Sequence, residues 1–249
     1  MVRSIFRSVP AGTTTSPFTR KTLAFLRDLK RNNDREWFKA RKADYEAHVR
    51  GPMVALLARL ARDLRAFAPE LVADPKVSLY RIYRDTRFSE DKTPLKTQAA
   101  AHFPHRALGK SGGAGLYVEV GPEGVWMGGG IYMPETHELA AIRAHIAEGH
   151  RTLRRIVTSK AFAAAVGELG GEQLSRVPRG FPKDHPAAEY LRFRQFLAGR
   201  EYPADFVCDG RFYPELLRVF RQVAPLVRFL NAPLLARPVD PLLRAPATR

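Results

Sequence analysis

Residues 81–96 concentrate groups that can do chemistry: Arg81-Ile82-Tyr83-Arg84-Asp85-Thr86-Arg87-Phe88-Ser89-Glu90-Asp91-Lys92-Thr93-Pro94-Leu95-Lys96. Guanidinium forks at the end of a strand can grip a phosphate or carboxylate bidentately, and neighbouring ammonium groups add point charge. On this reading Arg84 and Arg87 hold an anion, Arg81, Lys92 and Lys96 supplement them, and Asp85 and Asp91 orient the cations. The two aspartates could instead bind a cation, or act as general acid and base if desolvation raised a pKa. A structural alternative explains the same residues. Asp85 and Asp91 neutralise Arg84, Arg87 and Lys92 in an internal lattice that ties a long loop to the sheet, nearly neutral in stability but conformationally specific. Both readings stand at this stage.

Other signatures fail on context. Gly109-Lys110-Ser111 resembles the end of a phosphate-binding P-loop, but Pro104 occupies the position of the required first glycine, and a strand follows where a helix should. Gly109-Lys110-Ser111-Gly112-Gly113 also satisfies G-x-S-x-G, without the strand before it and the helix after it that a nucleophile elbow needs. A glycine loop between strands accounts for both. The histidines include His102 and His105, three apart, and His137 and His145 on one helix, with no H-E-x-x-H, so no metal site is expected. Cys208 is the single cysteine, which excludes an intrachain disulfide, and it reads as an inert thiol beside Asp205 and Asp209.

The charge balance points the same way as the central segment. Lys plus Arg number 41 against 25 Asp plus Glu, a formal charge of +16 over 249 residues. Such a field attracts nucleic acid, phosphorylated metabolites or acidic headgroups, although an unspecific compositional bias would give the same count. Apolar content of 45% and charged content of 27% are ordinary for a globular chain and exclude collagen-like and wholly disordered classes. No apolar run approaches the roughly 20 residues of a membrane span, and the first residues lack a secretory apolar stretch. A cytoplasmic protein that does not engage a membrane is expected.

The elements that must position these groups follow from periodicity. Residues 1–17 read as a flexible leader and residues 232–249 as a loosely held tail, leaving 18–231 as one domain. Leu23, Phe25, Leu26 and Leu29 predict a first helix ending near Asn32 or Asn33. Asn33 with Glu36 suggests a capping box for a second, which carries Trp37, Phe38 and Tyr45 and ends at Gly51. Pro52 opens a third along Met53, Leu56, Leu57, Leu60 and Leu64. Strands are expected over residues 77–84, 98–103 and 116–120, and from Val125 toward Tyr132 after the Gly121-Pro122-Glu123-Gly124 turn, with Gly128-Gly129-Gly130 marking a bulge in preference to a close approach of ligand or backbone. Helical patterns cover Leu139 to about Gly149, then 153–167, 187–198 and 214–230. Helices before and after a block of strands predict an α+β domain with a mainly antiparallel central sheet.

The central segment also carries a resemblance. R-x-x-R-D-x-R-F followed by D-K-x-P is similar to the signature of the conserved hypothetical family of bacteria and fungi catalogued as domain of unknown function 2461. Supporting matches are Asn32-Asn33 with Glu36-Trp37-Phe38, the hairpin end Gly129-Gly130-Ile131-Tyr132, and Pro178-Arg179-Gly180-Phe181 with His185-Pro186, spanning residues 18–231. Leu95 stands where the family usually has tyrosine. The resemblance implies a single domain of this type, brings no activity, substrate or cofactor, and makes Arg81, Arg84, Asp85, Arg87, Phe88, Asp91 and Lys92 the family-like positions.

The leading expectation is a protein binding an anionic small molecule or nucleic acid at residues 81–96, with Trp37, Tyr83 and Tyr132 as candidate stacking surfaces and no cofactor. An enzyme using Asp85 or Asp91 as general base beside the arginines is the first alternative. A basic protein-interaction module is the second.

Overall fold

Phe18, Leu23, Phe25, Leu26 and Leu29 turn one apolar stripe inward and are all buried, which fixes the first helix, α1 (Arg20–Arg31). The structure, a computed structural model, describes residues 16–87 and 90–236, and the statements below concern those residues. Phe88, most of the expected leader and the end of the expected tail lie outside them. After α1 come two short helices, α2 (Arg35–Ala40) and α3 (Lys42–Tyr45). The chain does not break at Gly51 as periodicity suggested: a π turn over Glu46–Arg50 leads directly into α4 (Gly51–Asp63). Pro52 has no N–H to offer the His48 carbonyl four residues back, and Thr22 Oγ1 donates to that carbonyl at 2.7 Å instead. The cap of α2 is also not Asn33. Asp34 accepts the backbone N–H groups of Glu36 (2.8 Å) and Trp37 (3.0 Å), and Asn33 is free for another task.

The strand expected over residues 77–84 is replaced by a one-turn helix, α5 (Pro75–Ser78), and an extended segment with only isolated bridges. Asp74 caps Lys76 N–H at 2.7 Å with Pro75 in the first turn, a helix-start signal that overrides the β-like residues after it. The extended segment then doubles back. Leu79 bridges Ala101, Tyr83 bridges Leu95, and Lys96 N–H donates to Ile82 O at 2.8 Å, so residues 79–87 and 90–96 lie as the two arms of a loose hairpin along the edge of the sheet.

The sheet is antiparallel throughout, in the order β1 (Ala99–Phe103), β2 (Gly115–Val120), β3 (Gly124–Ile131), β4 (Phe196–Pro203). The fourth strand lies where a helix was expected over residues 187–198; only α8 (Ala188–Leu191) is helical there. Pairing with β3 decides the matter, since every residue from Phe196 to Pro203 has a partner on that strand. The glycine run is not a bulge either. Gly128, Gly129 and Gly130 keep unbroken register with β2 and β4, and backbones approach so closely that a Cβ at Gly130, whose φ is 134°, would lie 1.9 Å from Phe196 O.

Alternation then gives the sheet two different faces. Ala101, Phe103, Leu116, Val118, Val125 and Met127 are fully buried, and α9 (Phe212–Leu235) lies across β3 and β2 on that side. The long helix α6 (Thr136–Val157) packs on α9 and bends at Gly149 instead of ending there, and α7 (Lys160–Val166) follows as a separate helix. Helices on both sides of the strands in sequence, with a four-stranded antiparallel sheet between them, make the class α+β as expected.

Candidate functional site

The face of the sheet turned away from α9 is where side chains with chemistry collect. Register places Ala100, Glu119, Trp126 and Glu201 in one row across the four strands, and His102, Tyr117, Gly128 and Gly199 in the next. The two hairpin arms, residues 79–87 and 90–96, and the loop between β1 and β2 rise at the edge of this face, leaving a cavity of about 1030 Å³. Tyr80, Arg84, Asp85 and Lys96 line it from the hairpin; Lys110, Ser111 and Gly113 line it from the loop.

Two asparagines hold those walls. Asn33 donates from Nδ2 to Leu95 O (2.9 Å) and accepts Leu95 N–H at Oδ1 (3.0 Å), standing in for a neighbouring strand and fixing the residue before Lys96. Asn231 on α9 does the same for Ala114: Oδ1 accepts its N–H at 2.7 Å and Nδ2 donates to its carbonyl at 3.0 Å. Asn231 is 1% exposed, so that clamp is shut off from solvent.

The sequence-selected cluster divides. Arg87 forks onto Asp85 (Nε to Oδ1 3.0 Å, Nη2 to Oδ2 2.8 Å), and Arg84 donates to Asp91 and to Thr93 Oγ1 (2.8 Å). Asp91 also accepts Thr93 N–H at 2.9 Å, and Lys92 donates to Thr86 O at 3.0 Å. These contacts hold the carboxyls of Asp85 and Asp91 down at about 2, Asp85 chiefly through Arg87 and Asp91 chiefly through the Thr93 N–H. Most of the density of charge in residues 81–96 is therefore the internal lattice. Arg84, Asp85 and Lys96 reach the cavity; Arg81, Arg87, Asp91 and Lys92 are not in its lining. Arg81 makes no hydrogen bond or ion pair with the described residues and acts on the site through its field, pushing the pKa of Lys96 down. Of the expected stacking rings, Trp37 packs against Phe25 with Arg41 above it, Tyr83 meets Phe38 edge-on, and Tyr132 alone lines the cavity.

Lys96 was among the residues selected from the sequence; the groups that sequence reasoning missed as site residues, Lys110, Tyr117, Glu119 and Trp126, are brought to it by the sheet and its loop. Lys96 and Lys110 approach the same ring, Tyr80, at 4.7 and 5.6 Å from its centroid. Neither has a carboxylate partner among the described residues. Burial first, then Arg81, Lys110 and Arg84, lowers the pKa of Lys96, against a weaker pull from Glu119. Tyr80 touches Tyr117 (6.3 Å between centroids) and Tyr117 touches Trp126 (5.7 Å), a run of rings across the face. Tyr117 O–H donates to Glu119 Oε2 at 2.6 Å, and burial together with that carboxylate raises the phenol well above its ordinary value. His102 sits against Gly115, where a Cβ would lie 2.2 Å from its Nε2; its buried Nδ1 has no hydrogen-bond partner, and burial pushes its pKa down to about 4. The imidazole is therefore neutral at physiological pH.

A signal for the loop was legible. Gly109-Lys110-Ser111 is not a P-loop, since it joins two strands, yet the glycines around it bring Lys110 and Ser111 to the cavity wall. The alternation of Tyr117 and Glu119 with Leu116, Val118 and Val120 also marked an outward face. No group of three or more His, Cys, Asp or Glu is arranged to hold a metal among the described residues, and no described helix is long and apolar enough to cross a membrane.

Residues 21–229 match the model of a family described as "Conserved hypothetical protein (DUF2461)". The chain belongs to that family. No curated protein matches it. The match runs from α1 nearly to the end of α9 and so includes both asparagine-clamped segments and all four strands of the DUF2461 domain.

Proposed function

We propose that the protein binds a phosphate-bearing anion in the cavity on the open face of its sheet, with Lys96 and Lys110 as the primary cationic contacts. The observation that carries the reading is the convergence of these two ammonium groups on one tyrosine ring, neither of them in a salt bridge with a carboxylate of the described residues. Like charges gathered at a cavity wall repel each other, and one of them, Lys96, is half-buried. An incoming anion relieves that repulsion. Arg84 adds a guanidinium held in place by Asp91, and the net charge of +16 favours approach of anions. The proposal moves the anion from Arg84 and Arg87 to the lysines, because the arginines are already engaged by their own loop.

Asp85 and Asp91 are poor candidates for a general base, since a carboxyl held near 2 accepts a proton weakly at neutral pH. Binding without chemistry at those residues is the better supported reading.

Calorimetric titration with inorganic pyrophosphate tests it. Each charge-assisted contact is worth about 1.5–3 kcal/mol, so Lys96→Gln and Lys110→Gln should each weaken binding by about tenfold or more. Lys21→Gln, an exposed lysine on α1 away from the cavity, serves as the charge control. Equal affinity in all four proteins, or no heat with the wild type, would overturn the proposal.

A further inference from the structure

We infer that the ligand of this cavity is a nucleotide unit, its base stacked on the Trp126 indole beside Tyr117 and its phosphate on Lys96 and Lys110; the inference rests on the anion reading and names the other end of the molecule. Trp126 is laid flat along the floor of the sheet. A Cβ at Gly199 would fall 2.2 Å from its Cζ2 and one at Gly128 would fall 2.8 Å from its Cη2, so one face of the indole rests on glycine backbone. The residue is half-buried and lines the cavity, which leaves its opposite side to a ligand. Tyr117 stands beside it at 5.7 Å with its ring inclined 58° to the indole, so the indole is the stacking surface and Tyr117 walls it on the side of the cationic groups; stacking on an indole suits any base because every base has a π face.

The groups around that surface are acceptors. Register sets Glu119 and Glu201 on either side of Trp126, and neither forms an ion pair with the described residues. Carboxylates in that position repel phosphate and accept hydrogen bonds from ring N–H and exocyclic amino groups, which the edges of nucleobases supply. The two poles therefore fix an orientation: phosphate toward β1, where Tyr80 and Lys96 sit, and base toward β4, where Glu201 sits. Four strands spaced at about 4.8 Å make the face about 14 Å wide, room for a nucleotide lying across it. At the lip Tyr132 is 67% exposed, and the next residue, Met133, has φ 51°, a left-handed backbone that an unbranched side chain adopts only under constraint. That strained exit presents a further ring at the mouth.

The test compares inorganic pyrophosphate, ribose 5-phosphate, the four nucleoside monophosphates and a ten-residue oligothymidylate, read by equilibrium affinity and by quenching of tryptophan fluorescence. A nucleoside monophosphate should bind about ten- to a hundredfold tighter than ribose 5-phosphate, the ratio that one stacked base contributes, and should quench the indole. Trp126→Leu should collapse that ratio and Trp126→Phe should retain most of it, with circular dichroism confirming that both fold. An oligonucleotide that binds more tightly than any mononucleotide, with steep salt dependence, identifies a single strand as the source; equal affinity identifies a free nucleotide. If ribose 5-phosphate binds as well as the nucleotides, the base assignment is overturned and the anion reading survives. If neither pyrophosphate nor any nucleotide binds, both fall.

Discussion

Replacing Asn231 by alanine should be the most damaging single change to the loop that carries Lys110. In the folded protein Ala114 is fully buried, and its N–H and C=O both spend themselves on the Asn231 amide. Alanine at 231 leaves a buried donor and a buried acceptor without partners, at about 1–3 kcal/mol each, or about 2–6 kcal/mol together. Asn33→Ala removes the equivalent pair from Leu95, but Asn33 is half-exposed and water can enter from its side, so the cost falls to the net worth of two hydrogen bonds, about 1–3 kcal/mol. Urea unfolding followed by far-UV circular dichroism measures both. With a slope of about 3 kcal/mol per molar, a loss of about 3 kcal/mol lowers the midpoint by about 1 M. Hydrogen exchange should rise in residues 110–115 for Asn231→Ala and in residues 92–97 for Asn33→Ala. An unchanged midpoint in Asn231→Ala, or a larger loss in Asn33→Ala, would refute the clamp argument.

Three further outcomes follow from the same geometry. His102 has its pKa moved from 6.5 to about 4 by burial, so the unfolded chain takes up its proton first as pH falls: the contribution is intact above about 6.5, declines between 6.5 and 4, and reaches about 3 kcal/mol lost below that, and an NMR titration giving His102 a pKa above 6 would contradict it. Asp85 and Asp91, with carboxyls lowered from 3.8 to about 2, should keep the hairpin lattice intact above 3.8 and release it only as pH falls through about 2; carboxyl chemical shifts titrating near 4 would show that the arginine and backbone contacts are absent in solution. Gly199→Ala forces a methyl into the indole of Trp126 and should cost about 1–3 kcal/mol while shifting the tryptophan emission, whereas an unshifted spectrum at wild-type stability would mean that the ring does not rest there.

The elements that bury a face locally were readable from the chain. Leu116, Val118 and Val120 alternate, Leu23, Leu26 and Leu29 recur at helical spacing, and both patterns report a periodicity that burial demands. What failed depended on partners distant in sequence. Phe196 to Pro203 become a strand because β3 offers an unpaired edge some seventy residues earlier, a fact absent from the local window. Asn33 looked like a helix cap because nothing near it announces Leu95, with which it exchanges two hydrogen bonds. The site was legible in the same partial way. The basic segment 81–96 was conspicuous and does border the cavity, but pairing Arg84 with Asp91 and Arg87 with Asp85 takes up the charge that drew attention. Lys110, Tyr117 and Trp126 come together only once the sheet has formed, from loops and strands whose individual patterns point to nothing beyond an exposed face.

The most direct measurement of the central claim is a pyrophosphate titration of the protein carrying carbon-13 methyl labels on its lysines, observed by NMR at neutral pH. The account predicts that the Lys96 and Lys110 signals move together and saturate while the other lysines stay in place. Uniform small shifts across all the lysines, or saturation at sites that exclude these two, would contradict it.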